Sequence, residues 1–280
     1  MFNQYQITRF IKSTLIHIFL MAVAVTCLFP LFWMARSALM TKETIFVDRS
    51  IFPATLEFGN FITAWVAGNF GTYFFNSVFY TVTVVGGIVL VASLAAYAFS
   101  RLQFPGRNFF FYMFVLAMMI PLPGSFVPLV VLMNKLGLVN TWYGYVLCMI
   151  NVGLSVSILL LKTFFDKMPS DLEDAARMDG CGRMGIWWHV ALPLARPAIA
   201  VVVIFNSLNV WNEFILANLL LSDDSLMTLQ TGLFKFQGPN LADYPVLMAG
   251  LTISAVPIII IYLLMQKHII KGLSSGAIVG

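Results

Sequence analysis

Six long apolar stretches constrain this 280-residue chain more than any other feature of its sequence. The hydrocarbon core of a bilayer is about 30 Å thick, so a helix needs about 20 apolar residues to cross it. Stretches of that length lie at about residues 13–35, 73–100, 108–133, 141–161, 197–221 and 245–265. The sequence therefore predicts an all-α, polytopic membrane protein with six transmembrane helices, and we expect residues 1–280 to form a single transmembrane domain.

Composition indicates the same class of protein. Apolar residues make up 60% of the chain and charged residues 10%, whereas soluble domains contain about 45–50% and about 25%. So few charges cannot cover the surface of a soluble globule. We therefore exclude a soluble enzyme, a nucleic-acid-binding domain and a disordered tail. The net charge of +4 is also too small and too dispersed to form a patch that binds polyanions.

The Lys and Arg residues predict the orientation of the spans, because cytoplasmic loops carry an excess of basic residues. With six spans, both termini lie on the same side of the membrane. If that side is the cytoplasm, eleven of the 16 basic residues are cytoplasmic and five are external, and the reverse orientation inverts the bias. We therefore expect cytoplasmic N- and C-termini, which places the most charged loop, residues 162–196, in the cytoplasm.

This loop contains signals for two short helices. Residues 170–173, Ser-Asp-Leu-Glu, match a capping box, in which the serine oxygen and the glutamate side chain satisfy free backbone N–H groups. The helix at 172–178 is expected to stop before Gly180, a typical residue just past a helix end. A second helix, at about 182–189, is expected to end before Pro193.

The first of these helices offers a shallow surface. Leu172, Ala175 and Ala176 share one face by their i, i+3, i+4 spacing. Because two of the three are alanines, another protein could pack closely against this face. The alternative is an amphipathic loop that lies among the lipid headgroups.

Motifs of nucleotide-binding and catalytic proteins are missing or out of place. Residues 180–185 match the dinucleotide fingerprint G-x-G-x-x-G, but they lie between two membrane spans with no βαβ unit, so we reject the match. The chain has no G-x-x-x-x-G-K-[ST] sequence, so energy from ATP must come from another polypeptide. The three cysteines and three histidines are too scattered to predict a metal site, and no nucleophile–base pair can be nominated.

The charged loop resembles the EAA loop of ABC-importer permeases. That pattern is Glu-Ala-Ala, three residues, Gly, nine residues, and Ile-x-Leu-Pro. The corresponding residues here are Asp174-Ala175-Ala176, Gly180 and Val190-Ala191-Leu192-Pro193. The chain departs from the pattern with aspartate for glutamate and valine for isoleucine. Both changes are conservative, although the shorter aspartate could weaken a charge contact with a partner.

The resemblance extends over nearly the whole chain and narrows to sugar permeases of the maltose type, specifically the six-helix second subunit. The supporting stretches are Asn76-Ser77, AAYAFSRLQFPGR (95–107), LGLVNTWYGYVL (136–147), WNEFILANLLLSDDSLMTLQTGL (211–233) and KGLSSGAIVG (271–280). It implies the type I ABC importer permease fold, in the cytoplasmic (inner) membrane of a prokaryote.

By the same resemblance, the EAA loop forms a coupling helix held in a cleft of an ATPase subunit. Closure of two ABC ATPases, which bind ATP and Mg²⁺, moves the coupling helices and opens the pore toward an external sugar-binding protein. The chain is then a non-catalytic subunit, pairs with a second permease subunit and binds no cofactor itself. The residues expected at the ATPase contact are Leu172, Glu173, Asp174, Ala175, Ala176, Asp179, Gly180, Leu192 and Pro193.

Polar residues inside the spans are candidates for the sugar pathway, because an ionisable group in a membrane is costly and is a functional hypothesis by default. Asn206, Asn209 and Glu213 share a face of the fifth span by their i, i+3, i+7 spacing. Amides donate to and accept from sugar hydroxyls. The pathway candidates are Asn76, Asn206, Asn209, Trp211, Asn212 and Glu213. The alternatives are hydrogen bonds between helices and a position of Glu213 near the external interface.

Two further features concern helix geometry. Pro121, Pro123 and Pro128 in the third span predict an interruption or a bend. Gly86-Gly87 in the second span predicts close contact with another helix, with a hinge as the alternative.

Two other functions stay open. An ion-coupled secondary transporter would use Glu213 as its coupling group, but it would need internal repeats that we do not find. An ABC permease for another solute class would share the EAA loop, and the resemblances of the fifth span and of the tail argue against it.

Overall fold

The computed structural model describes residues 4–53, 55–120, 122–235 and 243–277, and the regular structure in these ranges is helical throughout. Two compact units are distinguished, one of Met1–Phe70 with Leu233–Ala255 and one of Gly71–Gly232 with Val256–Gly280. The α-helices are α1 Gln4–Ala38, α2 Gly59–Ala67, α3 Phe70–Arg101, α4 Arg107–Ala117, α5 Leu122–Lys135, α6 Trp142–Asp166, α7 Asp171–Met178, α8 Arg183–Ile186, α9 Leu192–Leu194, α10 Arg196–Asn212, α11 Ile215–Leu220, α12 Leu229–Lys235 and α13 Tyr244–Ala277. A π-helical turn, Trp187–Ala191, joins α8 to α9, and a 3₁₀ turn, Asp224–Leu226, follows α11.

Four of the predicted spans fall within helices that are long and apolar enough to cross a membrane. These spans are 13–35 in α1, 73–100 in α3, 141–161 in α6 and 245–265 in α13. The structure thus confirms an all-helical protein with several membrane helices.

The third predicted span, 108–133, is not one continuous helix. It divides into α4, which ends at Ala117, and α5, which begins at Leu122, with Pro121 between them. Proline disfavours helical backbone in the residue that precedes it, so the interruption lies where the prolines predicted it. The two halves have 11 and 14 residues, and each is shorter than the roughly 20 residues that a bilayer requires.

The fifth predicted span, 197–221, is also interrupted, into α10 and α11. In addition, the chain bends by 77° between Arg183–Leu194 and Arg196–Asn212. The predicted fifth span is therefore not one continuous helix, and the Glu213 side chain described below is one of the groups that stabilise the break.

Small residues bring α3, α6 and α10 close together in the core of the second unit. A Cβ added at Gly87 of α3 would lie 2.5 Å from Cδ1 of Ile150 in α6. A Cβ added at Gly153 of α6 would lie 2.4 Å from Oδ1 of Asn206 in α10. This confirms the close contact predicted at Gly87, whereas Gly86 faces open space.

In the first unit, Arg36 at the end of α1 holds the segment that follows. Its side chain is buried and donates hydrogen bonds to the carbonyl oxygens of Ser50 at 2.8 Å and Asp48 at 3.1 Å. The guanidinium carbon also lies 4.6 Å from the ring centroid of Trp33. Arg36 thus organises the chain that follows the first predicted span.

Candidate functional site

The helix predicted in the charged loop is present as α7, and it ends as predicted. The carbonyl oxygens of its last turn are satisfied by the N–H groups of Gly180, which donates to Arg177 at 3.0 Å, and Cys181, which donates to Ala176 at 3.0 Å. Gly180 has a φ of +84°, a left-handed conformation that glycine adopts without a steric cost. A Cβ added at Gly180 would meet open space. The position therefore requires glycine for its backbone conformation and not for lack of room.

The predicted capping box is wrong. Ser170 has helical backbone angles, and its side chain does not cap the helix. Its carbonyl oxygen instead accepts from the N–H groups of Glu173 at 2.9 Å and Asp174 at 3.1 Å. The Glu173 side chain turns inward, toward an arginine of α3.

The two sides of α7 differ in exposure. Glu173 and Ala176 are buried, whereas Leu172, Ala175 and Met178 are exposed, Met178 to 89%. The helical spacing predicted that Ala176 shares an exposed face with Leu172 and Ala175. The structure shows that it does not. Ala176 lies three positions after Glu173 and shares its buried face.

Glu173 is held by Arg101, the last residue of α3. Arg101 Nε lies 3.3 Å from Glu173 Oε1, and the two side chains are 14% and 5% exposed. Arg101 Nη2 also donates to the carbonyl oxygens of Phe165 and Met168, at the end of α6. The charged loop is thus tied to the ends of two membrane helices by one arginine.

The remaining residues expected at the ATPase contact differ in exposure. Asp174 is exposed and accepts from Arg177 Nη1 at 2.8 Å, and Asp179 is exposed at the helix end. Leu192 is half-buried and Pro193 is exposed. Pro193 does not end the second helix, because it lies in the first turn of α9, where a missing N–H costs no hydrogen bond.

Glu213 caps a helix at the break in the fifth span. Its own backbone is extended, and its two carboxylate oxygens accept from the N–H groups of Leu216 at 2.7 Å and Ala217 at 2.8 Å. The hydroxyl of Tyr145 in α6 donates to the same carboxylate at 3.5 Å. Glu213 therefore satisfies free donors at the start of α11, where a negative charge is also favoured by the helix dipole.

The other pathway candidates do not form one surface. Asn206 is buried and donates to Ser157 Oγ of α6 at 3.0 Å, and Asn76 donates to the carbonyl oxygens of Ser225 and Met227. Trp211 is buried in edge-to-face contact with Phe74, with ring centroids 5.7 Å apart. Asn209 and Asn212 are exposed.

The loop after α11 is fixed by residues that the sequence did not predict. Asn140 Oδ1 accepts from the N–H groups of Ser222 and Asp223, each at 2.9 Å, and Asn140 itself has a φ of +56°. Tyr80 donates to the carbonyl oxygen of Leu226, and Ser77 Oγ accepts from the N–H of Leu229. An asparagine between two apolar runs is a turn signal, and it could have indicated Asn140.

The loop also has a perturbed carboxyl group. Hydrogen bonds from the Ser225 hydroxyl and backbone N–H stabilise the ionised carboxylate of Asp223 and lower its pKa. The loop thus carries negative charge, and its backbone is held by hydrogen bonds. Among the residues that the structure describes, no group of three or more His, Cys, Asp or Glu side chains could hold a metal ion.

Comparison with known families assigns the chain to one of them. Residues 87–275 match the family described as "Binding-protein-dependent transport system inner membrane component". The chain belongs to this family. The permease is therefore the membrane component of a binding-protein-dependent transport system, with several membrane helices, and not an enzyme.

Individual relatives agree with this assignment. The permease is 35% identical over 271 residues to the probable ABC transporter permease protein YurM of Bacillus subtilis, covering 97% of this chain and 90% of that one. It is 31% identical over 262 residues to the diacetylchitobiose uptake system permease protein NgcG of Streptomyces coelicolor, covering 93% and 87%. It is 36% identical over 229 residues to the arabinooligosaccharides transport system permease protein AraQ of Halalkalibacterium halodurans, covering 81% of each.

The fold also has a solved counterpart. The structure described as a bacterial ABC transporter involved in the import of the acidic polysaccharide alginate superposes with a TM-score of 0.81 at 25% identity. The superposition covers 95% of this chain and 98% of that one.

Proposed function

We propose that the permease is a transmembrane subunit of an ATP-driven ABC importer for a sugar or oligosaccharide. Relatives 31% and 36% identical to it are named as permeases for diacetylchitobiose and arabinooligosaccharides. The observation that carries the proposal is α7, which has the EAA spacing and presents Leu172, Ala175 and Met178 outward while its opposite face is held by the protein. An exposed apolar face of this kind suits contact with another protein.

The outer face of α7 is the proposed ATPase contact. Leu172 and Ala175 supply a low apolar surface, and Asp174 and Asp179 flank it with negative charge. Glu173 and Ala176 act differently, because they are buried and hold the helix in place.

The sequence supports the finer topology. We propose six spans with cytoplasmic termini, in the cytoplasmic (inner) membrane, with α4 and α5 forming an interrupted third span and α10 and α11 an interrupted fifth. The bias of basic residues toward the side of the termini and of the loop 162–196 supports this orientation. The whole chain then forms one transmembrane domain.

The assembly follows from the proposed mechanism. A second permease subunit completes the pathway, two ATPase subunits bind ATP and Mg²⁺, and an external binding protein delivers the sugar. On this chain we propose Asn209 and Asn212 as sugar contacts, because both are exposed on α10. Asn76, Asn206, Trp211 and Glu213 support the pathway by holding the fifth helix and the loop that follows it.

A pull-down from the native membrane in mild detergent, followed by mass spectrometry, tests the assembly. We expect a second permease and an ATPase with a phosphate-binding loop. In proteoliposomes with the binding protein, the complex should accumulate one of two labelled sugars, N,N′-diacetylchitobiose or arabinotriose. Accumulation should require ATP and persist when ionophores remove all ion gradients. A homo-oligomer that accumulates solute on an ion gradient would contradict the proposal.

A further inference from the structure

Arg101 occupies the point where three helices of the second unit meet. It is the last residue of α3, and Nη2 donates to the carbonyl oxygens of Phe165, in the last turn of α6, and of Met168, just beyond that helix. Its Nε lies 3.3 Å from the carboxylate of Glu173 in α7. One side chain therefore binds all three elements.

The contact with α7 depends on charge. Neither Arg101 Nε nor Glu173 Oε1 has an aligned hydrogen-bond partner among the described residues, and both atoms are buried. Breaking this pair would leave the buried Glu173 carboxylate with only the 3.5 Å contact from the exposed Arg177, which is unfavourable for a desolvated charge. Arg101 and Glu173 are therefore expected to move together.

Neighbouring polar contacts do not replace this link. Ser100 of α3 donates to Asp166 of α6 at 2.7 Å, and Lys162 contacts the same carboxylate at 2.7 Å within α6, so neither contact reaches α7. Arg177 also lies near Glu173, at 3.5 Å, but it belongs to α7 and is 56% exposed. Among the ion pairs of the described residues, only Arg101–Glu173 joins α7 to another helix.

We propose that Arg101 is a positioning residue that transmits movement of α7 to the ends of α3 and α6. This inference rests on the proposed function, in which an ATPase moves α7. Displacement of Glu173 carries Arg101 with it, and the two bonds from Arg101 to backbone carbonyls carry the end of α6. The outer face of α7 binds the ATPase, and the inner charge pair converts that binding into movement of membrane helices.

The test uses charge-removing variants in the complete complex. Glu173→Gln keeps the size of the side chain, and Arg101→Gln removes the cation from the other side. The double variant Arg101→Gln/Glu173→Gln completes the cycle. Arg101→Lys keeps the charge. Lysine lacks the planar guanidinium with which arginine contacts a carboxylate and two carbonyl groups at once. Arg177→Gln is the matched control, because it removes the exposed partner of the same carboxylate.

Each complex is purified, reconstituted and assayed for ATP hydrolysis and for uptake of the sugar that the wild type accumulates. We expect both single variants to retain their ATPase subunits. Each should transport at least about fivefold less sugar per ATP hydrolysed, a change at the lower end of the usual coupling between two sites. The double variant should be no worse than either single variant, because both remove the same interaction. Arg101→Lys should restore part of the ratio, and Arg177→Gln should leave it unchanged.

Several outcomes would overturn the inference. An unchanged ratio of sugar to ATP in both single variants would show that the pair does not transmit movement. Additive losses in the double variant would show that the two residues act separately. Failure of both single variants to assemble would make the pair a folding element instead. If the wild-type complex holds no ATPase and shows no ATP-driven uptake, the proposed function itself fails, which the wild-type control reveals first.

Discussion

The hydroxyl of Tyr145 in α6 donates to the carboxylate of Glu213, over 3.5 Å, where the fifth predicted span is interrupted. The same carboxylate accepts two backbone N–H groups of α11. A glutamate that sequence reasoning assigned to the sugar pathway is therefore a helix cap inside the span. The break between α10 and α11 is held both by local hydrogen bonds and by a neighbouring helix.

Replacing Glu213 should destabilise the permease, and the loss should depend on how many acceptor oxygens the new side chain keeps. Glu213→Ala removes both acceptors, and we expect a loss of about 1–2 kcal/mol in unfolding free energy, as for other lost helix caps. Glu213→Gln should lose less, because one oxygen still accepts. The melting temperature of the detergent-solubilised complex measures both effects. Asn212→Ala is the control, since Asn212 is exposed and, among the described residues, donates to Leu208 of its own helix. An equal loss in that variant would contradict the capping role.

Gly180 should tolerate only residues that adopt left-handed backbone. The backbone at this position has a φ of +84°. A residue with a side chain adopts such a left-handed conformation at a cost of about 1–2 kcal/mol. Gly180→Leu should therefore distort the end of α7 and remove most sugar uptake. Membrane insertion should be normal, because the change lies in a loop. Gly180→Asn should retain substantial uptake, as asparagine enters this conformation more readily. Uptake by cells expressing equal amounts of each variant measures this, and wild-type activity from Gly180→Leu would remove α7 from the mechanism.

Asn140 should control the order of the loop after α11. Asn140→Gly keeps the left-handed backbone but removes the acceptor for Ser222 and Asp223. Each lost bond is worth about 1 kcal/mol, so amide exchange at these two residues should accelerate about tenfold or more. Asn140→Asp preserves an acceptor oxygen and should exchange like the wild type. Hydrogen-exchange mass spectrometry of the segment 221–228 gives the result, and equal protection in the glycine and aspartate variants would contradict it.

Gly153 should be irreplaceable in the core. An added methyl would meet Asn206 Oδ1 at 2.4 Å, and overpacking of this kind costs about 1–3 kcal/mol. Gly86→Ala is the matched control, because Gly86 faces open space in a neighbouring helix and alanine favours the helix by up to about 1 kcal/mol. Thermal unfolding should therefore shift in opposite directions. A stabilised Gly153→Ala variant would contradict the packing.

The apolar runs predicted most of the fold because the length of a membrane helix depends on bilayer thickness alone. The proline positions also predicted the interruption of the third span. The break at Glu213 was not predictable from its neighbours, since 212–214 contain neither proline nor glycine. Its stabilisation depends partly on Tyr145, which is 68 residues away in the sequence.

The faces of α7 show the same limit at the candidate site. Helical spacing groups Ala176 with Leu172 and Ala175, but the structure buries Ala176 beside Glu173. The cause is Arg101, which lies outside the loop and attracts Glu173 inward. Local patterns located the helix and its glycine stop, whereas the direction of each side chain depended on a distant charge.

The most direct test of the central claim compares the adjacent alanines of α7. In a background without native cysteines, Ala175→Cys and Ala176→Cys each carry one thiol, the first exposed and the second buried. The complex in native membranes is labelled with a short reagent that reacts with the thiol at one end and carries a photoreactive group at the other. After illumination, the cross-linked products are identified by mass spectrometry. We expect Ala175→Cys to cross-link to an ATPase subunit and Ala176→Cys not to do so. Absence of an ATPase from the products of Ala175→Cys, in membranes that still import sugar, would contradict the role of α7 as the site of energy coupling.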